Sequence, residues 1–104
     1  MYEYRATLVR VIDGDTVRLT VDLGFSLERR DDSYRLGRID APEMATPAGP
    51  PSRDHLASLV AGKSLLVQTS KADKYGRWLV ELFADGVNLN DAMVTDGHAV
   101  YRVY

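Results

Sequence analysis

The chain has 104 residues, of which 45% are apolar and 27% are charged. This length fits one domain spanning residues 1–104, and the composition excludes disordered, coiled-coil and collagen-like chains. The absence of cysteine excludes a disulfide framework, a thiolate nucleophile and a metal site built on thiolates. The net charge of −2 argues against binding of nucleic acid through overall positive charge, so such a role needs local clusters.

The first ten residues, MYEYRATLVR, carry charges within the first five positions and contain no long apolar stretch. We therefore expect neither a signal peptide nor a transmembrane segment, and no membrane partner. The sequence leaves the compartment in which the protein works open.

Strand patterns dominate the first forty residues. Residues 4–12 are rich in β-branched and aromatic side chains, and Asp13-Gly14 predicts a tight hairpin turn. Apolar and polar residues then alternate over 16–23, which predicts a half-buried strand. Residues 24–33 carry mixed charge without a period and predict either a solvated hairpin loop or a frayed strand extension. Residues 34–39 return to strand character.

Two short helices and two further strands are predicted in the remainder. Four prolines between 42 and 51 predict an exposed loop without regular structure. Ser52 is the expected N-cap of a helix of about ten residues that ends at Gly62. Strands are expected over 64–70 and 78–84, followed by a turn at Asp85-Gly86. A second helix is expected over about 89–96, with Asn88 as N-cap and Gly97 as its end.

This order of elements predicts a mainly β chain with short helices, of the α+β class. Five short strands joined by tight turns favour a closed OB-fold barrel, with one helix between strands 3 and 4 and one after strand 5. A fold of this kind does not by itself indicate a function.

Chemically reactive side chains concentrate in three segments, Ile12–Thr16, Arg35–Glu43 and Asp73–Arg77. Each lies at the end of a predicted strand, where a barrel brings together groups that are distant in sequence. Taken singly, each segment is equally well an ordinary polar turn or acidic loop. Their occurrence together favours a functional site.

The residue types in these segments indicate phosphate chemistry. Asp15 and Asp40 supply hard carboxylate oxygens suited to Ca²⁺ or Mg²⁺, and calcium is the better match. Glu43 follows Asp40 by three residues and is placed to take a proton from an attacking water. Arg35 and Arg77 offer planar guanidinium groups that match phosphate geometry.

The sequence resembles the staphylococcal nuclease-like (thermonuclease) domains from about residue 8 to residue 101. The resemblance rests on Val11–Thr16, Arg35–Glu43, Asp73–Arg77 and Asn88–Asn90. It implies an OB-fold barrel and a calcium-dependent nuclease. Such an enzyme cleaves DNA and RNA between phosphorus and the 5′-oxygen and leaves 3′-phosphate ends.

The resemblance also implies a role for each matching residue. Asp15, Asp40 and the carbonyl of Ala41 match the ligands of one Ca²⁺, and Asp13 matches an acidic residue just outside them. In the same way, the catalytic matches are Arg35, Arg77 and the general base Glu43, and the matches that bind a neighbouring phosphate are Lys74 and Tyr75. Tyr101 and Tyr104 are candidates to stack on a base, with core packing as the alternative.

The charges of the candidate site predict how metal and substrate bind. Four acidic and two arginine side chains leave a charge of −2, which repels a phosphate until a divalent cation neutralises it. We therefore expect metal and nucleic acid to bind cooperatively.

Three aromatic residues outside these segments are expected to have structural roles. His55 and His98 fall in or just after predicted helices and are expected at the surface or in packing. Trp78 continues the alternation of Val80 and Leu82, which favours burial over stacking on a base.

The sequence thus predicts a monomeric metal-dependent phosphodiesterase that acts on DNA and RNA with little sequence preference and needs no obligate protein partner. The alternative is a non-catalytic domain of the same fold that binds nucleic acid or a protein.

Overall fold

The structure is a computed structural model that describes residues 2–72 and 76–103. In chain order, its elements are β1 (Tyr2–Asp13), β2 (Thr16–Gly24), β3 (Leu27–Leu36), β4 (Ile39–Asp40), α1 (Gly49–Val60), β5 (Leu65–Ala72), β6 (Trp78–Ala84), β7 (Val87–Asn88), α2 (Leu89–Thr95) and β8 (Val100–Tyr101).

Five of these strands form a closed barrel in the order β3-β2-β1-β5-β6, and a parallel pairing of β3 with β6 closes it. The other barrel pairings are antiparallel. Helix α1 lies between the third and fourth barrel strands, and α2 follows the fifth. The predicted five-stranded OB-fold architecture with its two helices is therefore confirmed.

The barrel encloses one apolar core, and α1 packs against it through Leu56 and Val60. Alternating residues of β2 point inward, since Val17, Leu19 and Val21 are buried, as the period of two predicts. At full burial, side chains of this kind stabilise the fold by about 1.5–3 kcal/mol each.

The charged segment 24–33 continues two barrel strands. The hairpin turns at Phe25 and Ser26, both with positive φ, and β3 begins at Leu27. Its charges pair across and along the ribbon, as in Arg18–Asp31 at 2.7 Å and Arg29–Asp32 at 2.6 Å. Of the two alternatives, the strand extension is therefore correct, because paired charges on a solvated ribbon need no apolar period.

Helix α1 begins earlier than the sequence predicts. It starts at Gly49, and Pro50 and Pro51 stand in its first turn, where a missing N–H removes no helical hydrogen bond. The predicted N-cap at Ser52 is wrong, because the Ser52 N–H already donates to the Ala48 carbonyl at 3.2 Å. The Ser52 hydroxyl is buried and donates instead to the carbonyl of His98 at 2.8 Å.

Helix α2 follows the prediction closely. The Asn88 side chain caps it by accepting a hydrogen bond from the Asp91 N–H at 3.1 Å. The next polar residue, Asn90, is fully buried and accepts from the Leu82 N–H at 3.0 Å. Its amide donates to the carbonyls of Gly37 and Val80, both at 2.9 Å. Asn90 thereby joins α2 and β6 to the segment between β3 and β4.

Neither described helix has the length and apolar character needed to cross a bilayer.

Candidate functional site

Three parts of the chain meet beside the barrel: the turn between β1 and β2, the end of β3, and β4. The Leu36 N–H donates to the Asp15 carbonyl at 2.8 Å and fixes the turn against β3. The segment after Leu36 then returns Asp40 and Ala41 toward Asp15, whose carboxylate accepts a hydrogen bond from the Ala41 N–H at 2.8 Å. Two of the predicted polar segments therefore converge.

Asp15 is the most enclosed carboxylate of the group, with only 6% of its surface exposed. One of its oxygens accepts from Arg35 at 3.1 Å, and the other accepts from the Thr16 hydroxyl at 3.1 Å. Burial raises the pKa of Asp15 from 3.8 to about 6; the hydrogen bond with Asp13 adds to this rise, and the Ala41 N–H and Arg35 oppose it. Arg35 and the Ala41 N–H thus offset the burial of this carboxylate only in part.

Arg35 lies between two carboxylates. Its Nη1 contacts Asp15 and also donates to the carbonyls of Leu36 and Ile39, at 3.0 and 3.2 Å. Its Nη2 donates to Asp40 at 3.3 Å. Since a guanidinium is a small planar fork, Asp15 and Asp40 must lie on the same side of the molecule and close together.

Arg102 is a site residue that the sequence analysis missed. Its Nη1 lies 3.0 Å from the second carboxylate oxygen of Asp40. Strand β8 brings it there, because Asp40 pairs with Val100 and the Arg102 N–H donates to the Arg38 carbonyl at 2.7 Å. Arg102 follows the last residue of the resemblance and belongs to none of the three polar segments, so no sequence signal pointed to it.

Gly14 is required at the turn for reasons of space. A Cβ at this position would overlap the Ser52 hydroxyl and lie 2.8 Å from the Cβ of Ala41. The turn therefore approaches both α1 and the segment after β4 as closely as a glycine allows. This contact, rather than a positive φ, explains the Asp-Gly pair.

Glu43 is exposed, two residues beyond Ala41. Its carbonyl accepts hydrogen bonds from the Thr46 N–H at 2.9 Å and from the Thr46 hydroxyl at 2.6 Å. Gly49 packs against the same peptide, since a Cβ there would overlap the Glu43 carbonyl oxygen. The backbone of Glu43 is thus held by the turn before α1 while its carboxylate faces solvent.

The remaining predicted residues are less closely tied to this cluster. Arg77 is half-buried and directly precedes β6, in which Leu79 is the register partner of Arg35. Tyr101 is exposed, and its hydroxyl donates to Asp91 at 2.9 Å. Core packing of Tyr101 is therefore wrong, because β8 is a two-residue strand at the surface. The other predicted positions, Asp73, Lys74, Tyr75 and Tyr104, lie outside the described residues.

The structure confirms the predicted role of the two histidines and contradicts the predicted burial of the tryptophan. His55 and His98 stack with their ring centroids 4.3 Å apart, and His55 contacts Asp96 at 2.7 Å, which confirms a packing role. Trp78 is 36% exposed, so the predicted burial is wrong. The alternation of β6 predicts an inward side chain, but Trp78 lines an open cleft.

The donor set suits a hard cation. Asp15, Asp40 and the Ala41 carbonyl offer only oxygen atoms, the ligand type that Ca²⁺ and Mg²⁺ prefer. Within residues 2–72 and 76–103, no three Asp, Glu, His or Cys side chains group as a metal site. Any ion here would accordingly draw on two carboxylates and main-chain or solvent oxygens.

Comparison with known proteins agrees with this arrangement. The family model described as "Staphylococcal nuclease homologue" matches residues 33–104. A protein of Escherichia coli O157:H7 named "Uncharacterized endonuclease" is 42% identical over 99 residues, which cover 93% of this chain. A "Micrococcal nuclease" of Shigella flexneri is 33% identical over 112 residues, covering 98% of this chain.

The similarity extends to a plant protein, and it covers only part of each relative's length. A "Probable staphylococcal-like nuclease CAN1" of Oryza sativa subsp. japonica is 42% identical over 65 residues, or 62% of this chain and 20% of its own. The chain spans 61% of the length of each of the two bacterial relatives. Because the family model covers well over half of the sequence, the chain belongs to the staphylococcal nuclease homologue family.

Proposed function

We propose that this protein is a calcium-dependent nuclease that hydrolyses phosphodiester bonds of DNA and RNA with little sequence preference and leaves 3′-phosphate ends. The observation that carries the proposal is the guanidinium of Arg35 bound between the carboxylates of Asp15 and Asp40. Membership of a nuclease family and the printed names of its relatives support it. The proposal includes action as a monomer without an obligate protein partner.

The charge of the site supports a need for a divalent cation. Adding Arg102 to the four carboxylates and two arginines identified from the sequence reduces the excess from two negative charges to one. Asp15, Asp40 and the Ala41 carbonyl would hold the ion, with Asp13 just outside. When bound, the ion supplies positive charge to the phosphate oxygens and offsets the excess of carboxylates.

Each side chain then has one task in the reaction. The exposed carboxylate of Glu43 accepts a proton from the attacking water. Arg35, already held by the carbonyls of Leu36 and Ile39, presents a fixed fork to the phosphate as its charge grows. Arg77 binds the same phosphate from the neighbouring strand, and Lys74 and Tyr75 bind the next one. Tyr101 and Tyr104 are the candidates to stack on a base.

A cleavage assay on single-stranded DNA tests this function. Wild-type protein is incubated with Ca²⁺ or with chelator, alongside Glu43→Ser and Arg77→Gly variants. Exposed residues of the β2–β3 hairpin supply matched controls, Glu28→Ser and Arg30→Gly, which remove the same kinds of side chain from the exposed ribbon. We expect calcium-dependent cleavage to 3′-phosphate ends that the first two variants lose and the controls keep.

Two results would contradict the proposal. Equal cleavage with Ca²⁺ and with chelator would exclude calcium dependence. Calcium-dependent binding of the DNA without any cleavage would favour the alternative, a non-catalytic nucleic-acid-binding domain.

A further inference from the structure

An open cleft of about 380 Å³ lies at the uncovered end of the barrel. This volume is at the lower end of the range of small-molecule pockets, which is about 300–1,000 Å³. Two of its lining residues, Val21 and Tyr34, belong to the barrel core, so the cleft continues the core to the surface. Its aromatic and cationic lining consists of Tyr2, Tyr4, Arg29, Tyr34 and Trp78.

The floor of this aromatic cleft contains an unsatisfied hydrogen-bonding group. Tyr34 is 2% exposed, and within the described part of the chain its hydroxyl is the one buried side-chain polar atom without a partner. Buried polar groups in folded proteins are nearly always paired, because leaving one unpaired is costly. Burial also raises the pKa of Tyr34, so the hydroxyl stays protonated and able to donate at neutral pH. A ligand with an acceptor atom would satisfy it.

The walls of the cleft are suited to flat aromatic ligands. Trp78 and Tyr2 both expose part of their rings, and Tyr2 stacks on Tyr4 with 6.5 Å between centroids and 24° between planes. Arg29 is the one charged side chain among the described lining residues; it is positive and also pairs with Asp32 at 2.6 Å. Aromatic platforms beside a cation are the usual means by which proteins hold single-stranded nucleic acid.

The cleft is adjacent in the barrel wall to the candidate active site. Tyr34 and Trp78 are register partners on β3 and β6. Each is next in sequence to a proposed catalytic arginine, Arg35 or Arg77. Because successive residues of a strand face opposite sides, the arginines and the aromatic rings belong to opposite faces of the same two strands.

We propose that the aromatic cleft binds an unstacked base of single-stranded nucleic acid, next to the bond that is cut. The base stacks on Trp78 and the tyrosines, and an acceptor atom on its edge takes the hydrogen bond of Tyr34. This inference rests on the proposed nuclease function for its ligand, but binding at the cleft is measured separately from cleavage.

The tryptophan itself is the reporter, because the sequence contains only one. An eight-nucleotide DNA strand is titrated, in Ca²⁺, into the full chain carrying Glu43→Gln, which prevents cleavage. A strand of the same length made of abasic sugar-phosphate units is the matched ligand. We expect the normal strand to quench the Trp78 fluorescence and to bind about fivefold or more tighter than the abasic strand. Equal quenching and equal affinity for the two strands would overturn the proposal.

Two variants locate the bound base while keeping the tryptophan. Tyr2→Ala in the cleft is compared with Phe25→Ala at the hairpin tip, where Phe25 is 98% exposed and does not line the cleft. We expect only Tyr2→Ala to weaken binding of the normal strand, about fivefold or more. Tyr34→Phe should keep or raise the melting temperature, since no hydrogen bond is lost, and should still weaken binding. Equal effects of Tyr2→Ala and Phe25→Ala would count against the cleft.

The two proposals fail in different ways. Cleavage by wild-type protein without base-dependent quenching would overturn the cleft and leave the nuclease. Base-dependent quenching without cleavage would overturn the nuclease and leave the cleft.

Discussion

Two arginines three residues apart, Arg35 and Arg38, each bridge two carboxylates, yet their surroundings differ. Arg35 is nearly enclosed between Asp15 and Asp40, and there burial raises the pKa of Asp15 to about 6. Arg38 is exposed between Glu81 and Asp91, and its guanidinium holds the pKa of Asp91 below the usual value of 3.8.

The difference shows that the same three charges have opposite consequences in different solvent environments. In the exposed cluster, the guanidinium compensates its partners and the ion pairs join β6 and α2 to the segment before β4. In the enclosed cluster, Arg35 opposes but does not cancel the effect of burial, so the pKa of Asp15 stays raised even though Arg102 also contacts Asp40. The first arrangement is typical of a structural ion pair, and the second of a binding site.

The largest expected effect separates the two arginines by activity. Arg35→Lys keeps the charge but loses the planar fork, and we expect kcat for DNA cleavage to fall by about 100- to 1,000-fold. The matched change, Arg38→Lys, should leave kcat within about threefold, because exposed ion pairs contribute little. Thermal melting checks that both variants fold. Similar losses of kcat in both variants would remove the distinction between the clusters.

A smaller effect is expected from the glycines beside each cluster. Gly14→Ala forces a Cβ against the Ser52 hydroxyl and Ala41, and we expect it to lower the free energy of unfolding by about 1–3 kcal/mol. A Cβ at Gly37 would meet only the flexible end of Glu81, at 3.3 Å, so Gly37→Ala should change that free energy by less than about 1 kcal/mol. Urea unfolding of both variants measures the difference. A larger loss in Gly37→Ala would show that the exposed cluster is the tighter one.

The smallest expected effect is a pH dependence of stability at Asp91. Because Arg38 lowers its pKa in the folded state, ionised Asp91 stabilises the fold above pH 3.8, and this contribution is lost as the pH falls below that value. Asp91→Asn should therefore destabilise the protein at pH 7, by less than about 1 kcal/mol for so exposed a pair, and should have a smaller effect at pH 3. Urea unfolding at the two pH values provides the test. A loss of the same size at both would exclude an ionic origin.

The elements that follow from local chemistry were predictable from the sequence. The alternation of β2, the Asn88 cap, and the succession of five barrel strands and two helices along the chain each depend on residues close together in the chain, and all three are confirmed. The grouping of Asp15, Arg35 and Asp40 was predictable because strand ends meet at one side of a barrel. Their catalytic and metal-binding roles stay predictions.

The errors concern contacts between distant segments. Serine is a favoured N-cap residue, but the hydroxyl of Ser52 donates to the carbonyl of His98, 46 positions away. The period of β6 indicates which way Trp78 points and cannot indicate that the barrel end beside it is open. Arg102 reaches Asp40 only because β8 pairs with β4, a pairing of two-residue strands that leaves no pattern in the sequence.

The prolines at the start of α1 have a consequence for the neighbouring Glu43. Pro50 and Pro51 have fixed φ angles in the unfolded chain as well as in the helix, so folding restricts little additional backbone freedom there. The turn of Glu43–Thr46 therefore precedes a segment whose φ angles are restricted by the proline rings. In entropic terms, the turn that carries the proposed base adjoins a helix start whose backbone loses little freedom on folding.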